Sequence, residues 1–395
     1  MGTKRLLAPA VRDAVRSLDT RGRVADLFAG MGSVSANLAS DHPVLANDAL
    51  MFAASMLRAR FTDGERASAT TLARCLWPRF ERAHSHLREE FSSRIHTEQE
   101  VLRCSAPNSL DAHMREADHV GNSDAWRGRA EEASRRKGIE RYKLTTLYFS
   151  AGYFSTAQAI ELDSIRYAID QCEVSTSRDG LLSAWIAAAA SAINAPGHTA
   201  QYLKPRNSSS YIRVRRQWQR RIWAAFLSKL ESLEKVGTKN WRLGNVVTSE
   251  DALKLSQKLH RYDVGAVYAD PPYTRDQYSR FYHVYETLYR YDYPSSSGAG
   301  RYRSDRFVTP FSHVTTARRS FEQLFSLVAE AQIPLVLSYP SNGLLEMRGC
   351  PVLELLRSNF SSVANTSIDH YHSTLGASNG NRSKPAKENI YVCIP

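Results

Sequence analysis

Two kinds of hydrophobic spacing divide this chain. Short, mostly apolar runs, the pattern of strands covered on both faces of a parallel sheet, occur at Val24 to Phe28, Val44 to Ala46, Gly244 to Val247, Val264 to Ala269, Pro334 to Tyr339 and Ile390 to Ile394. Helical spacing dominates the middle, at Ser55 to Phe61, Tyr153 to Asp170, Leu181 to Ile193 and Gln217 to Leu233. The order predicts an α/β fold of the doubly wound kind that opens over residues 1–55, is split by a mainly helical insert over 56–242, and is completed over 243–395. Two loops break the last part: Ser295 to Gly300, reading SSSGAG, and the polar, basic Gly376 to Lys387.

Composition narrows the picture. A chain of 395 residues can bury a large core and hold two subdomains. Its 52 Lys and Arg against 40 Asp and Glu give a formal charge of +12, which suggests a polyanionic partner, nucleic acid first. The five cysteines, Cys75, Cys104, Cys172, Cys350 and Cys393, form no CxxC or Cys/His cluster, so neither a zinc site nor a disulfide framework is expected and a reducing cytoplasm fits. The longest apolar stretch, Leu181 to Ala195, is interrupted by serines and too short to span a bilayer, and the start lacks the apolar core of a signal peptide. No membrane or export step is expected.

Chemistry concentrates in two motifs. In DLFAGMGSVS, Asp26 to Ser35, a buried strand runs into a glycine turn and then a helix; Gly30 and Gly32 remove side chains where a ligand can approach the backbone. The spacing lacks the third glycine of the dinucleotide fingerprint, which argues against a pyrophosphate and against a dehydrogenase. Asp26 ends the first strand and Asp48 the second, where a carboxylate accepts ribose hydroxyls, so an adenosine-bearing ligand is implied. The plainer alternative is a tight turn flanked by two solvated carboxylates. In YADPPY, Tyr268 to Tyr273, two prolines force the chain out of the sheet directly after an acid. Asp270 and the Pro271 carbonyl then present rigid acceptors to an aromatic exocyclic amine. Such an amine is a poor nucleophile until its lone pair is drawn out of the ring, and Tyr273 can stack on the base that carries it. Alone, the motif also reads as a turn with an exposed tyrosine.

Together these residues resemble the D12 class of adenine-specific DNA methyltransferases, the group that includes the Dam-type enzymes. The resemblance implies a Rossmann-like fold dependent on S-adenosyl-L-methionine, split by an inserted helical target-recognition domain, and a metal-free transfer to N6 of a flipped adenine. Asp26, Phe28, Gly30 and Gly32 match the family's cofactor motif, Asp48 its ribose-binding acid, and Asp270, Pro271, Pro272 and Tyr273 its catalytic motif. Gly2-Thr3-Lys4 with Leu6-Leu7 resembles the N-terminal motif, in which a lysine, here Lys4, helps hold the methionine carboxylate; the usual aromatic before the glycines is missing. Asn245 to Asp251 resembles the strand whose polar end lies near the cofactor adenine, a role for which Ser249, Glu250 and Asp251 compete and for which Asp251 is favoured. Leu337-Ser338-Tyr339 and Glu388-Asn389-Ile390 resemble the closing strands, with structural roles.

Cofactor motif, long insert and catalytic motif in that order is the arrangement of the family's α group, in which the insert reads the target. Within it, Lys204, Arg206, Arg213, Arg215, Arg216, Arg220 and Arg221 fall in Gln201 to Trp223 with no acid, interleaved with Tyr202, Tyr211, Trp218 and Trp223. This stretch is expected to contact double-stranded DNA, with salt-dependent affinity. Arg127 to Lys143 is basic too, but its three glutamates suit a solvated helix equally. After the catalytic motif, Arg275, Tyr278 and His283 are placed to hold the flipped base and its strand, although a helix packing its aromatics inward explains as much. His283 needs no role as a base. Tyr148 to Phe154 is expected to be core. N4-cytosine methylation, RNA adenine methylation and a silent DNA-binding protein of the same fold remain as alternatives. A cognate restriction or defence nuclease is a partner that only the resemblance suggests.

Overall fold

The structure is a computed structural model that describes residues 4–64, 67–173, 178–373 and 383–395, with 4–5, 370–373 and 383–386 described by backbone alone. It divides into two compact units. The first comprises residues 1–63, 234–279 and 307–395, the second 64–233 and 280–306. The predicted insert of 56–242 thus compares with a helical unit that starts and ends a few residues inside those bounds and also takes in a segment beyond the catalytic motif.

In the first unit, strands β1 (Arg23–Asp26), β2 (Val44–Asn47), β3 (Val246–Thr248), β4 (Val264–Ala269), β7 (Leu335–Pro340), β8 (Ser362–Ser373) and β9 (Ser383–Ile394) form one sheet in the order β3-β2-β1-β4-β7-β9-β8. The strands from β3 to β7 run parallel, and β9 lies antiparallel between β7 and β8. Alternation along the strands builds two apolar layers. Ala25, Leu45, Val267, Ala269, Leu335 and Leu337 face the helices around Leu255, Phe321 and Leu356. Val24, Val44, Ala46, Ala266, Tyr268 and Val336 face those around Val11, Leu38 and Leu57. Burial on both faces is the physical reason for the mostly apolar runs. The predicted mixed α/β, Rossmann-like fold with a mostly parallel sheet is found. β8 escaped sequence reading because its described side chains are mostly exposed on the sheet edge and leave little apolar pattern.

Strand order reverses between β1 and β4: from β1 the chain steps outward to β2 and β3, and from β4 outward to β7. The crevice at the carboxyl ends of two such strands is where open α/β sheets bind ligands.

The second unit is helical, with one small ladder of β5 (Ser296–Ser297) and β6 (Tyr302–Arg303) where the sequence reads as a glycine-rich loop. Its core holds Trp185, Tyr153, Phe149 and Phe154, which bears out the reading of Tyr148 to Phe154 as core. The helix expected over Gln217 to Leu233 is instead two, Ser208–Trp218 and Ile222–Glu231. The break has a cause: Gln158 Nε2 donates to the carbonyls of Gln217 and Arg220, and Glu161 accepts from the Trp223 amide and Arg221 Nε, so buried polar groups of the helix Thr156–Asp170 hold residues 219–221 out of helical geometry. Residues 280–306 join this unit through similar contacts. Tyr291 donates to the buried Asp163, Arg166 donates to the carbonyls of Leu288 and Tyr289, and Tyr148 donates to the Pro294 carbonyl. All five cysteines are free, and the thiols of Cys75 and Cys172 lie 3.3 Å apart. Among the described residues, no helix is long and apolar enough to cross a membrane.

Candidate active site

The glycine turn follows from β1 at the reversal point. Leu27 N donates to the Tyr268 carbonyl of β4 and Ala29 N to the Asn47 carbonyl of β2, so the chain leaves the sheet between its two neighbours. It then tightens through Gly32 N to the Ala29 carbonyl at 2.7 Å. Both glycines have positive φ, 53° at Gly30 and 75° at Gly32, but their surroundings differ. A Cβ on Gly32 would sit 2.5 Å from the Phe61 ring, whereas one on Gly30 would meet nothing within 4 Å. Gly32 is therefore needed for packing, and Gly30 borders open space that a ligand can fill.

Three carboxylates surround this turn. Asp26, at the end of β1, is 1 % exposed; its Oδ2 accepts from Ser35 Oγ at 2.6 Å, and its Oδ1 makes no hydrogen bond among the described residues. Burial pushes its carboxyl up to about 7, opposed by Ser35 and reinforced by the charge of Asp270. Asp48 accepts from Gly30 N at 3.1 Å through one oxygen and from Leu50 N at 2.8 Å through the other. Desolvation raises it to about 6, with these two backbone bonds opposing. Each oxygen keeps a lone pair for a further donor. Asp270, half-buried, leaves β4 next to the end of β1, where Asp26 pairs with Tyr268 in the ladder.

Pro271 is buried, while Pro272 and Tyr273 are partly exposed; the Tyr273 carbonyl accepts from Leu344 N at 2.8 Å, and its ring packs on the apolar layer below. Phe28 meets Phe311 edge to face at 5.4 Å. After the motif, Gln277 clamps Thr309 in both directions, Nε2 to the carbonyl and N–H to Oε1. Arg275 is exposed and Tyr278 half-buried. His283 belongs to the helical unit. It is fully buried, its Nε2 lies 2.7 Å from the Thr199 carbonyl, and burial drives it down to about 3. A neutral ring donating to that carbonyl is a packing element, as the sequence reading allowed.

At the end of β3 the acids are committed to structure. Asp251 Oδ1 accepts from the amides of Leu253 and Lys254 and caps the helix Ala252–Ser256, while Glu250 pairs with Lys258 at 2.6 Å. Sequence reasoning missed Asn47, whose buried side chain joins these strand ends. Only its position before Asp48 drew attention to it. Lys4 opens the first helix, but its side chain, like Gly2 and Thr3, lies outside the described residues, as do residues 376–382 of the expected basic loop, whose remainder, 383–387, lies in strand β9 instead.

These features fit S-adenosyl-L-methionine: open space over Gly30, spare lone pairs on Asp48, and an orphaned, buried oxygen on Asp26.

In the helical unit, Lys204, Arg206, Arg213, Arg215, Arg216, Arg220 and Arg221 are all exposed. Tyr211 and Trp218, expected to interleave with them at a surface, are instead buried at helical spacing beneath the arginines. Arg221 pairs with Glu161 and Arg220 donates to the Ser191 carbonyl; the other five cations form no ion pair among the described residues. Arg127 to Lys143, in contrast, is laced with pairs, among them Arg136 with Glu132 and Lys143 with Glu90 and Glu140. His86, Glu90 and Glu140 have metal-ligand spacing, but Lys143 and Arg129 already neutralise the two glutamates.

Residues 193–335 match the family model described as D12 class N6 adenine-specific DNA methyltransferase, a span that includes the DPPY motif. Modification methylase LlaI of Lactococcus lactis subsp. lactis is 23 % identical over 333 residues, covering 82 % of this chain and 43 % of the relative. Type II methyltransferase M.FokI of Planomicrobium okeanokoites is 26 % identical over 326 residues, covering 81 % of this chain and 40 % of the relative. The chain spans about two fifths of the length of these curated relatives. The reversal-point site and the order of its motifs agree with these matches, and residues 193–335 are similar to the D12 class of N6 adenine-specific DNA methyltransferases.

Proposed function

We propose that this protein transfers a methyl group from S-adenosyl-L-methionine to N6 of adenine in DNA. The observation that carries the reading is the placement of Asp26 and Asp270 at adjacent strand ends where the sheet reverses, beside the open cradle at Gly30. When bound, the cofactor supplies an electrophilic methyl on a sulfonium. Gly30 leaves room for it, Asp48 accepts its ribose hydroxyls, and Asp26 offers its unused oxygen to a cationic or N–H group. Phe28 walls the site against Phe311.

Asp270 and the Pro271 carbonyl hold the two N–H groups of the target amine, so its lone pair is freed from the ring and aimed at the methyl. Tyr273 stacks on the base. Rigid acceptors act here by orientation and electrostatics, with the prolines preventing the strand end from relaxing. Reaching N6 requires the base to leave the duplex, which costs a few kcal/mol that protein contacts offset.

Lys204, Arg206, Arg213, Arg215 and Arg216 are assigned to the DNA backbone because they are exposed and uncompensated, with Arg220 and Arg221 secondary because they already have internal partners. Arg275 and Tyr278 are assigned to the strand carrying the target. The setting assigned to it is the cytoplasm; the relatives' names speak of modification and Type II methyltransferases, and a cognate restriction or defence nuclease is the partner such a setting would supply. Expression in cells devoid of N6-methyladenine, followed by nucleoside mass spectrometry of their DNA, tests the proposal. N6-methyladenine appears with wild type and is absent with Asp270→Ala; N4-methylcytosine in its place would keep the chemistry and overturn the substrate.

A further inference from the structure

Asn47 is 1 % exposed and ends β2 immediately before Asp48. Its side chain makes four hydrogen bonds, the full complement for one donor pair and two accepted bonds. Nδ2 donates to the carbonyls of Leu27 and Glu250, both at 3.0 Å, and Oδ1 accepts from Thr248 Oγ1 at 2.8 Å and Glu250 N at 3.0 Å. The partners fix the orientation of the amide, because two carbonyls can face only the NH₂ and the Glu250 N–H only the oxygen, to which the Thr248 hydroxyl then donates. The Asn47 backbone carbonyl also accepts from Ala29 N in the glycine turn. One residue thus ties the carboxyl end of β1, the glycine turn, and the segment after β3 to the strand that presents Asp48.

The geometry points to Asn47 as a positioning residue for the cofactor: we propose that its amide sets the spacing between the glycine turn and the Glu250 segment, the two walls on either side of Asp48. This inference rests on the cofactor reading above. It assigns to Asn47 no contact with reacting atoms. A buried amide with every group satisfied is a high-stakes junction, since removing one partner leaves the others desolvated and unpaired. The strand ladders alone do not replace it, because β3 is three residues long and its last described backbone bond to this region, Asp48 N to the Thr248 carbonyl, is a long 3.5 Å.

The test uses Asn47→Asp, which keeps the acceptor side but turns an oxygen toward two carbonyls, and Thr248→Val, which removes a single bond and leaves the fold's packing volume nearly unchanged. S-adenosylhomocysteine binding is measured by calorimetry, methyl transfer with cofactor varied at saturating DNA, DNA affinity by anisotropy, and melting by circular dichroism. The expectation for Asn47→Asp is a rise of about tenfold in both the Kd for S-adenosylhomocysteine and the KM for the cofactor, with Thr248→Val smaller in the same direction. The kcat at saturating cofactor and the DNA affinity stay within about threefold of wild type, because the acceptors at Asp270 are untouched.

Unchanged cofactor binding in Asn47→Asp overturns the inference. So does a parallel fall of kcat, DNA affinity and melting temperature in both variants, which marks a merely structural residue. Wild-type protein that binds DNA but no S-adenosylhomocysteine overturns the cofactor reading itself and the inference with it.

Discussion

Among single residues, Gly30 and Gly32 separate two jobs that look identical in the motif. Gly32→Ala places a methyl within contact distance of the Phe61 ring at a left-handed φ, so a loss of about 1–3 kcal/mol in chemical denaturation is expected. Gly30→Ala has backbone strain but no clash. It should lose about 1 kcal/mol of stability while weakening S-adenosylhomocysteine binding disproportionately, since the methyl enters the ligand's space. Equal effects of the two substitutions on binding relative to stability would contradict this division.

Asp48 gives a pH signature. In the proposed site its carboxylate accepts the ribose hydroxyls, and because its carboxyl is raised to about 6, the Asp48 contribution to affinity falls by up to about tenfold per unit below that pH, separate from any change that Asp26 causes near 7. Calorimetric titration across pH 5 to 8 should show a bend near 6 in wild type that Asp48→Asn, which binds more weakly, loses, while any bend near 7 from Asp26 is kept. The sign for folding is opposite in kind. Raised carboxyls at Asp26 and Asp48 mean that the folded state holds protons more tightly than the unfolded chain, so their contribution to stability declines as pH rises from about 4 to about 7.

Among the elements, the helix Ser208–Trp218 carries the proposed DNA-binding cations on one face and its packing residues on the other. Tyr211, Val214 and Trp218 are buried, and Arg213, Arg215 and Arg216 point to solvent. Arg213→Ala, Arg215→Ala and Arg216→Ala combined should leave the melting curve nearly unchanged. The slope of log affinity for DNA against log salt should become shallower by about 0.9 for each phosphate that the variant no longer neutralises. Arg221→Ala should do the reverse, disturbing the unit more than DNA binding, because its guanidinium pairs with the buried Glu161 that also holds the start of the next helix. A full salt slope in the triple variant would remove this face from the DNA interface.

The same helix shows what the sequence conceals. Unopposed arginines were legible as a charge pattern, but the burial of the interleaved Tyr211 and Trp218 beneath them was not. Strands β1, β2, β4 and β7 were legible because their two-sided burial writes mostly apolar runs, whereas β8, mostly exposed at the edge, writes none. The helix break at 219–221 was illegible because Gln158 and Glu161, far away in sequence, impose it. Likewise the membership of residues 280–306 in the helical unit depends on Asp163, Arg166 and Tyr148 hydrogen-bonding to them, which no local pattern encodes.

Across the molecule as a whole, the chain crosses between its two units several times, and the proposed labour divides with them: cofactor and amine chemistry in the α/β unit, a cationic face in the helical one. The candidate site was readable in the placement of its acids and glycines, which the structure puts at the strand ends where the sheet reverses. It was unreadable where an ordinary residue such as Asn47 acts through geometry.

The proposed chemistry stands or falls on transfer of labelled methyl from S-adenosyl-L-methionine to unmethylated genomic DNA by the purified protein, wild type beside Asp270→Ala, with the label located by nucleoside analysis. Label is expected in N6-methyladenine for wild type and at background for Asp270→Ala, with both proteins binding S-adenosylhomocysteine alike. Label that survives the loss of Asp270, or no transfer to DNA by a wild-type protein that binds the cofactor, would rule this chemistry out.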